Sequence, residues 1–342
     1  MPNLLLFLSG ENETIPASEC LAILDSEGIP YSNVERLDQA LLVTTDDRAC
    51  EAISRRAAMA YFCCRLLYRA RADEFDAEDI NAGSFGIEPG KKFAVRVRRV
   101  KEYSENLRVL ELEKQIGLEL INQFPDGVHV DLKNPDYTFF GLITSDEFLF
   151  GLIIGQVNRK GFGRRKGRNR PYFYPGVIEP RLARAMVNLS RVTAEDVFLD
   201  PFSGTGGLLI EAGLLGCSVV GTDLDMKMVR GSIRNLKHFI ADNYSVILGD
   251  ARRLPLSCVG GIATDPPYGI SASTKGEKVE KLITEFMENT SDVLKVDGYL
   301  CLACPSTVSA LDLEDISKLD LYERHTMYIH RSLTRQILVF RK

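Results

Sequence analysis

From Pro180 onward the chain alternates short apolar runs with helix-length stretches, and this alternation limits the possible folds more than any other feature of the sequence. A helix-like stretch over 181–189 leads to the run Val197-Phe198-Leu199, then a helix over 205–216, a strand over 218–222 and a helix over 226–241. Strands over 244–248 and 261–264, a helix over 277–294, a strand over 298–303 and a last strand over 335–340 complete the series. Strands this short and apolar are buried on both faces, and helix-length connections return the chain parallel to itself. The pattern predicts an α/β domain on a doubly wound parallel sheet, with any ligand in the crevice at the C-terminal strand ends.

The rest of the chain is organised differently. At 342 residues it is too long for one ordinary domain. With 45% hydrophobic and 26% charged residues it has the composition of a globular protein, which excludes disorder, collagen and a small disulfide scaffold. Residues 1–70 alternate β-like and helix-like runs punctuated by Gly10, Gly28 and Pro30, as in a small α+β unit. In residues 71–155, Phe93-Ala-Val-Arg-Val-Arg-Arg-Val100 alternates apolar with basic positions, so one face is core and the other presents Arg96 and Arg98. Residues 148–155 form the longest apolar run, far short of a membrane span. Residues 1–9 lack a basic start and a small-residue cleavage site, so they read as a first strand rather than a signal peptide, and a cytoplasmic protein is expected. Cys301-Leu-Ala-Cys304 lies in a strand-like run with no second pair nearby, so no metal site is expected.

Charge is uneven. Residues 1–90 carry 7 Lys/Arg against 16 Asp/Glu, whereas residues 91–180 carry 16 against 11. Seven of the twelve residues in Arg159-Lys-Gly-Phe-Gly-Arg-Arg-Lys-Gly-Arg-Asn-Arg170 are basic. The Gly-rich part of this 156–179 connector reads as a solvated linker. Its cations, Arg164, Arg165 and Lys166 among them, are candidates for phosphate contact, with Phe162, Tyr172 and Phe173 available to stack. An acidic front joined to a basic middle points to a polyanion met by part of the molecule.

Four motifs carry chemistry, and all fall at ends of predicted strands. Asp200-Pro-Phe-Ser-Gly-Thr-Gly-Gly207 follows the first, where glycines let the backbone approach a ligand closely. Gly204 and Gly206 fit the start of a dinucleotide fingerprint, but the third glycine position is Leu209, and a P-loop lysine is missing. Asp200 would repel a pyrophosphate and suits an ammonium group, which points to S-adenosylmethionine rather than a nicotinamide dinucleotide. Asp223 ends the second strand, where a carboxylate can accept from two ribose hydroxyls. Asp250, followed by Ala251, ends the third and can accept from an adenine amino group.

Asp265-Pro266-Pro267-Tyr268 ends the fourth strand and is the most specific of the set. Its consecutive prolines remove two N–H donors and stiffen the backbone. The Asp265 carboxylate and the Pro266 carbonyl can then accept both hydrogens of one exocyclic NH2, while Tyr268 offers a ring face to a planar base. A nucleobase amine is a poor nucleophile because its lone pair is delocalised. Holding both N–H bonds favours a tetrahedral nitrogen able to attack a sulfonium methyl, with Asp265 positioned to take the proton late.

These four motifs together resemble the amino-methyltransferase branch of the S-adenosylmethionine-dependent enzymes. Arg170-Pro-Tyr-Phe-Tyr-Pro-Gly-Val-Ile-Glu-Pro-Arg-Leu-Ala-Arg-Ala-Met-Val-Asn-Leu189, with Asp265-Pro-Pro-Tyr-Gly-Ile-Ser271, is similar to the archaeal-type tRNA guanine-10 N2-methyltransferases. Phe93-Ala-Val-Arg-Val97 and Val130-Asp-Leu-Lys-Asn-Pro-Asp136 resemble a THUMP domain. The resemblance implies a ferredoxin-like α+β domain over 1–70, a THUMP-like RNA-binding domain over 71–155, a basic linker over 156–179 and a Rossmann-like methyltransferase domain over 180–342. It implies that Asp200, Phe202, Gly204, Gly206, Asp223, Asp250, Ala251 and Asp265 hold S-adenosylmethionine, and that Asp265, Pro266 and Tyr268 receive guanine N2. It makes Arg96, Arg98, Lys133 and Asn134 candidates for the tRNA acceptor end, beside Arg164, Arg165 and Lys166. The family often carries His where this chain has Tyr174, which is counted as a substrate contact.

The expected activity is methylation of the exocyclic N2 amine of guanine 10 in tRNA, by one or two transfers. The expected partner is tRNA, with no membrane; a monomer is expected and a small activating subunit is left open. Two rivals stand beside it. An adenine-N6 or cytosine-N4 methyltransferase acting on DNA or another RNA uses the same acceptor motif, and a tRNA-binding protein could carry a vestigial catalytic domain.

Overall fold

The run Leu4-Leu-Leu-Phe-Leu8 is buried at every position, so the first strand needs cover on both faces and neighbours on both edges. In the computed structural model this strand, β1 (Asn3–Leu8), lies between β3 (Ala40–Thr45) and β4 (Ala60–Arg71). The structure describes residues 3–81, 87–88, 90–124, 127–240, 242–254, 256–267, 279–330 and 333–342. They form two compact units. One comprises Met1–Ala17, Ile29–Arg55 and Ala60–Val157; the other comprises Ser18–Gly28, Arg56–Met59 and Asn158–Lys342.

Between β1 and β4 the chain forms α1 (Ile15–Ser26), β2 (Tyr31–Leu37), β3 and α2 (Arg48–Arg56). Then come β5 (Lys92–Arg99), α3 (Val109–Gln123), β6 (His129–Val130), β7 (Tyr137–Thr144) and β8 (Glu147–Gln156). Among the described residues the sheet order is β2-β3-β1-β4-β8-β7-β5-β6. The β7–β8 hairpin turns on Ser145 and Asp146, both at positive φ (50° and 60°), as a two-residue turn with matching twist requires. The sequence separates 1–70 from 71–155. In the structure β4, from the first part, and β8, from the second, are antiparallel neighbours from Phe62 opposite Gln156 to Arg71 opposite Glu147. Strands of both segments therefore belong to one hydrogen-bonded sheet.

The second unit carries the βα alternation. Its elements are α4 (Lys160–Arg164), α5 (Pro180–Leu189), β9 (Val197–Asp200), α6 (Gly207–Gly213), β10 (Ser218–Asp223), α7 (Met226–Phe239) and β11 (Tyr244–Leu248). They continue with β12 (Val259–Thr264), α8 (Val279–Met287), α9 (Thr290–Val293), β13 (Leu294–Pro305), α10 (Ala310–Ser317), β14 (Asp320–His330) and β15 (Leu333–Arg341). The sheet order is β11-β10-β9-β12-β13-β15-β14. Chain order reverses between β9 and β12, which opens the crevice at their C-terminal ends. A core of Leu199, Ile262, Phe286, Leu300, Leu302, Leu338 and Phe340 packs the sheet.

The sheet is not wholly parallel as the sequence suggests. β13–β15 and β15–β14 pair antiparallel, so the chain ends in a hairpin rather than one added strand. β14 escapes a reading by apolar runs because polar residues interrupt it throughout. Its Tyr322, Arg324, Thr326 and Tyr328 are exposed, as suits an edge strand. Among the described residues no helix is long and apolar enough to cross a membrane. No group of His, Cys, Asp and Glu among them could hold a metal ion.

Candidate active site

Asp200 closes β9 and is 2% exposed. Its Oδ1 accepts from the Thr264 hydroxyl at 2.7 Å and from the Phe202 N–H at 3.2 Å. Burial pushes its carboxyl up to about 7, against these two hydrogen bonds, and the Asp265 and Asp223 charges push the same way. A carboxyl so placed gains most from a cation arriving beside it. The following loop turns through Gly204 (φ +49°) and Gly206 (φ +81°), both in the left-handed region. A Cβ at Gly206 would stand 2.6 Å from Ser232 Oγ, whereas one at Gly204 would meet nothing within 4 Å, so Gly204 borders open space.

Asp223 closes β10 and fastens this loop. Its Oδ2 accepts from the Gly204 N–H at 2.9 Å and its Oδ1 from the Asp225 N–H at 2.8 Å. Burial raises its carboxyl above the usual range. Leu224, next in sequence, is 56% exposed, and Leu248 at the end of β11 is 50% exposed. The sequence assigns neither leucine a role, yet they give the β10 and β11 ends an apolar surface.

Asp250 differs from its expectation as a free acceptor. Arg252 grips it, with Nε to Oδ1 at 2.9 Å and Nη2 to Oδ2 at 2.6 Å, and these bonds hold its carboxyl below the usual range. Arg252 also donates to Glu285 at 2.9 Å. Phe202 and Ala251, expected at the cofactor, belong to the apolar core. Phe202 packs edge-on against Phe286 at 5.5 Å, and Ala251 is 3% exposed in the same cluster.

Asp265 and Pro266 follow β12, so the fourth motif adjoins Asp200 through Thr264. Asp265 is partly buried and Pro266 buried. Arg335 of β15 places Nη2 3.5 Å from Asp265 Oδ2, a partner the motif does not announce. Tyr268 lies outside the described residues. The structure thus brings Asp200, Asp223, Asp265 and the glycine loop to one sheet edge.

The connector is largely folded onto this unit rather than solvated. Phe162 is 5% exposed under the Arg165 guanidinium, whose carbon lies 4.5 Å from the ring centroid. Arg165 forms a two-point pair with Glu211 of α6 (2.6 and 3.1 Å), and Arg184 of α5 reaches the same carboxylate at 2.9 Å. Arg165 is therefore removed from the set of phosphate contacts, because it neutralises a carboxylate that is 0% exposed. Arg164 and Lys166 remain exposed. Asn235 of α7 accepts from the Tyr172 N–H at 2.8 Å and donates to the carbonyls of Tyr172 and Thr205 (2.9 and 3.0 Å), joining connector to glycine loop. Tyr174 is 39% exposed.

In the N-terminal unit Phe93, Val95 and Val97 are core, as the alternation implies, and Arg98 is exposed. Arg96 is partly buried and donates to the Leu132 carbonyl at 2.8 Å. Asp131 accepts from the N–H groups of Lys133 and Asn134 (2.9 and 3.0 Å), bonds that with Lys92 hold its carboxyl down to about 2. Arg96, Lys133 and Asn134 are thus gathered at one turn, with the last two exposed.

The UPF0020 family model, an RMKL-like methyltransferase domain, matches residues 167–337, and the THUMP domain model matches residues 70–152. The tRNA (guanine(10)-N2)-dimethyltransferase of Methanothermobacter thermautotrophicus is 39% identical over 344 residues, covering 99% of both chains. Its counterpart in Methanocaldococcus jannaschii is 34% identical over 362 residues, covering 98% of both. In fold the chain is similar to TrmN from Thermus thermophilus, with a TM-score of 0.55 at 19% identity and 99% of each chain covered. With relatives this similar over nearly the whole of both chains, the chain belongs to the family of tRNA (guanine(10)-N2)-dimethyltransferases.

Proposed function

We propose that the protein methylates the exocyclic N2 amine of guanine 10 in tRNA, with S-adenosylmethionine as methyl donor. The observation that carries this reading is the pairing of two carboxyl groups at adjoining strand ends, Asp200 tied to Thr264 and Asp265 next in sequence, beside a glycine loop open at Gly204. The donor set fits the cofactor. Asp200 would hold its ammonium group, Gly204 and Gly206 would give backbone access, and Asp223, which holds the loop, would accept from the ribose hydroxyls. The exposed Leu224 and Leu248 would offer apolar surface to the adenine, and Asp250, though held by Arg252, would remain an acceptor for the adenine amine. When bound, S-adenosylmethionine supplies an electrophilic methyl on a sulfonium.

The remaining work falls to the chain. Asp265 and the Pro266 carbonyl accept the two N2 hydrogens, which localises the nitrogen lone pair, and Asp265 holds the proton that the amine sheds. Tyr268 supplies a ring face to the base. Guanine 10 lies in a paired stem and is flipped out at a cost of about a few kcal/mol. The THUMP segment engages tRNA through Arg98, Lys133 and Asn134, with Arg96 bracing their turn, and Arg164 and Lys166 meet phosphates. The segments 1–70, 71–155, 156–179 and 180–342 serve as scaffold, RNA-binding part, connector and catalytic part.

Mass spectrometry of nucleosides from tRNA incubated with protein and methyl donor tests this directly. N2-methylguanosine and N2,N2-dimethylguanosine at position 10 are expected. Methylated adenine or cytosine would move the protein to the rival amino-methyltransferases. No product and no calorimetric binding of the cofactor would make the catalytic unit vestigial.

A further inference from the structure

Asp265 and Arg335 are seventy residues apart in sequence and are brought together by strand register. Arg335 lies near the start of β15, opposite Pro305 at the end of β13, and that register carries its guanidinium back over the end of β12. The two side chains are 14% and 15% exposed, with Nη2 and Oδ2 3.5 Å apart. Shielding of this degree makes the attraction stronger than that of a surface pair.

Two carboxyl groups on neighbouring strands act against the charge of Asp265. Asp200 on β9 is a like charge coupled to it, and Asp223 on β10 adds to the same acidic edge. Cys304 on β13 is pushed up to about 12 by burial and stays a neutral thiol, and Arg324 on β14 acts on that same thiol. A carboxyl crowded by Asp200 tends to take up a proton, and a protonated carboxyl offers a donor where the amine needs an acceptor.

We infer that Arg335 is a positioning residue: it keeps Asp265 ionised and fixes the rotation of its carboxylate so that both are ready when the amine arrives. The inference rests on the reading of Asp265 as acceptor of the target amine. Arg335 itself touches the carboxylate and is not assigned a contact with substrate.

The test compares full-length protein with Arg335→Gln and Arg335→Lys. For Arg335→Gln, kcat on tRNA is expected to fall roughly 10- to 100-fold, the scale of a misplaced reacting group. KM for tRNA and calorimetric affinity for S-adenosylmethionine should stay within about twofold. The acid limb of kcat should move upward by about one pH unit, because a carboxylate that loses a neighbouring cation holds its proton longer. Arg335→Lys should recover much of both. A carbon-13 titration of the Asp265 carboxyl, assigned by its loss in Asp265→Asn, gives a readout independent of activity and should move the same way. An unchanged Asp265 titration overturns the inference even if tRNA is methylated, and so does loss of cofactor affinity in step with kcat. Absence of tRNA methylation by the unaltered protein would instead overturn the functional reading, and the titration would still decide the role of Arg335.

Discussion

In the N-terminal unit Arg69 bridges Glu35 and Glu147 with all three side chains open to water, at 35%, 44% and 23% exposure. In the catalytic unit Arg165 and Arg184 enclose a Glu211 that water does not reach. Arg56 there pairs with Glu27 while only 4% exposed, and Arg191 pairs with Asp25 and Glu323 while 5% exposed. Exposed pairs add little to stability and are screened by salt. Buried pairs are costly to break, because the surviving partner is left charged in a poor solvent. The first unit therefore holds its charge at the surface, where a polyanion can compete for its cations. The second uses charge internally, to set its helices and connector around the glycine loop.

The largest effect is expected where the buried network is cut. Glu211→Ala leaves Arg165 and Arg184 without their carboxylate and should cost about 3–5 kcal/mol in denaturant unfolding. A loss below about 1 kcal/mol would show that the network resembles the surface pairs after all.

Asp200→Asn comes next. It should weaken cofactor binding by about 1.5–3 kcal/mol, the worth of a hydrogen bond to a charged group. In the unaltered protein, affinity should rise with pH through about 7, as Asp200 ionises to meet the ammonium group. Unliganded stability should run the other way. A carboxyl raised from 3.8 to about 7 keeps a proton that the unfolded chain has lost, so its contribution is complete below about 4 and is lost as pH rises to 7. Calorimetry and melts between pH 4 and 8 measure both slopes, and the Asn variant should flatten each.

A smaller effect belongs to the exposed cations. Replacing Arg164 and Lys166 by Ala should weaken tRNA binding and lower the slope of log K against log salt by about one for each phosphate no longer neutralised. Adding Arg165→Ala should lower stability without a further change in that slope. Least of all, Arg69→Ala should change stability by no more than about 1 kcal/mol.

The acidic strand ends are legible in the sequence because each follows an apolar run that can only be a buried strand. Asp200, Asp223 and Asp265 need no long-range information to be placed on one edge. What escapes depends on partners far away in the chain or on side-chain geometry. Asp250 gives no sign of Arg252 closing over it, since that depends on a rotamer. Glu211, within Leu208-Leu-Ile-Glu-Ala-Gly213, reads as an ordinary helix acid until Arg165 and Arg184 converge on it. The connector misleads for the same reason: its composition is that of a solvated segment, while burial of Phe162 and Arg170 is decided by the helix beneath them. Arg335 is hidden by register, which no local pattern near residue 335 encodes.

Asn235 illustrates how little chemistry separates an ordered loop from a disrupted one. Its amide nitrogen faces two carbonyl oxygens, of Tyr172 and Thr205, and its oxygen faces one N–H. Exchange of that single NH2 for oxygen, as in Asn235→Asp or slow hydrolysis of the amide, alters shape hardly at all. It would nonetheless set a carboxylate against two carbonyl dipoles and prise the connector and the glycine loop from their common rivet.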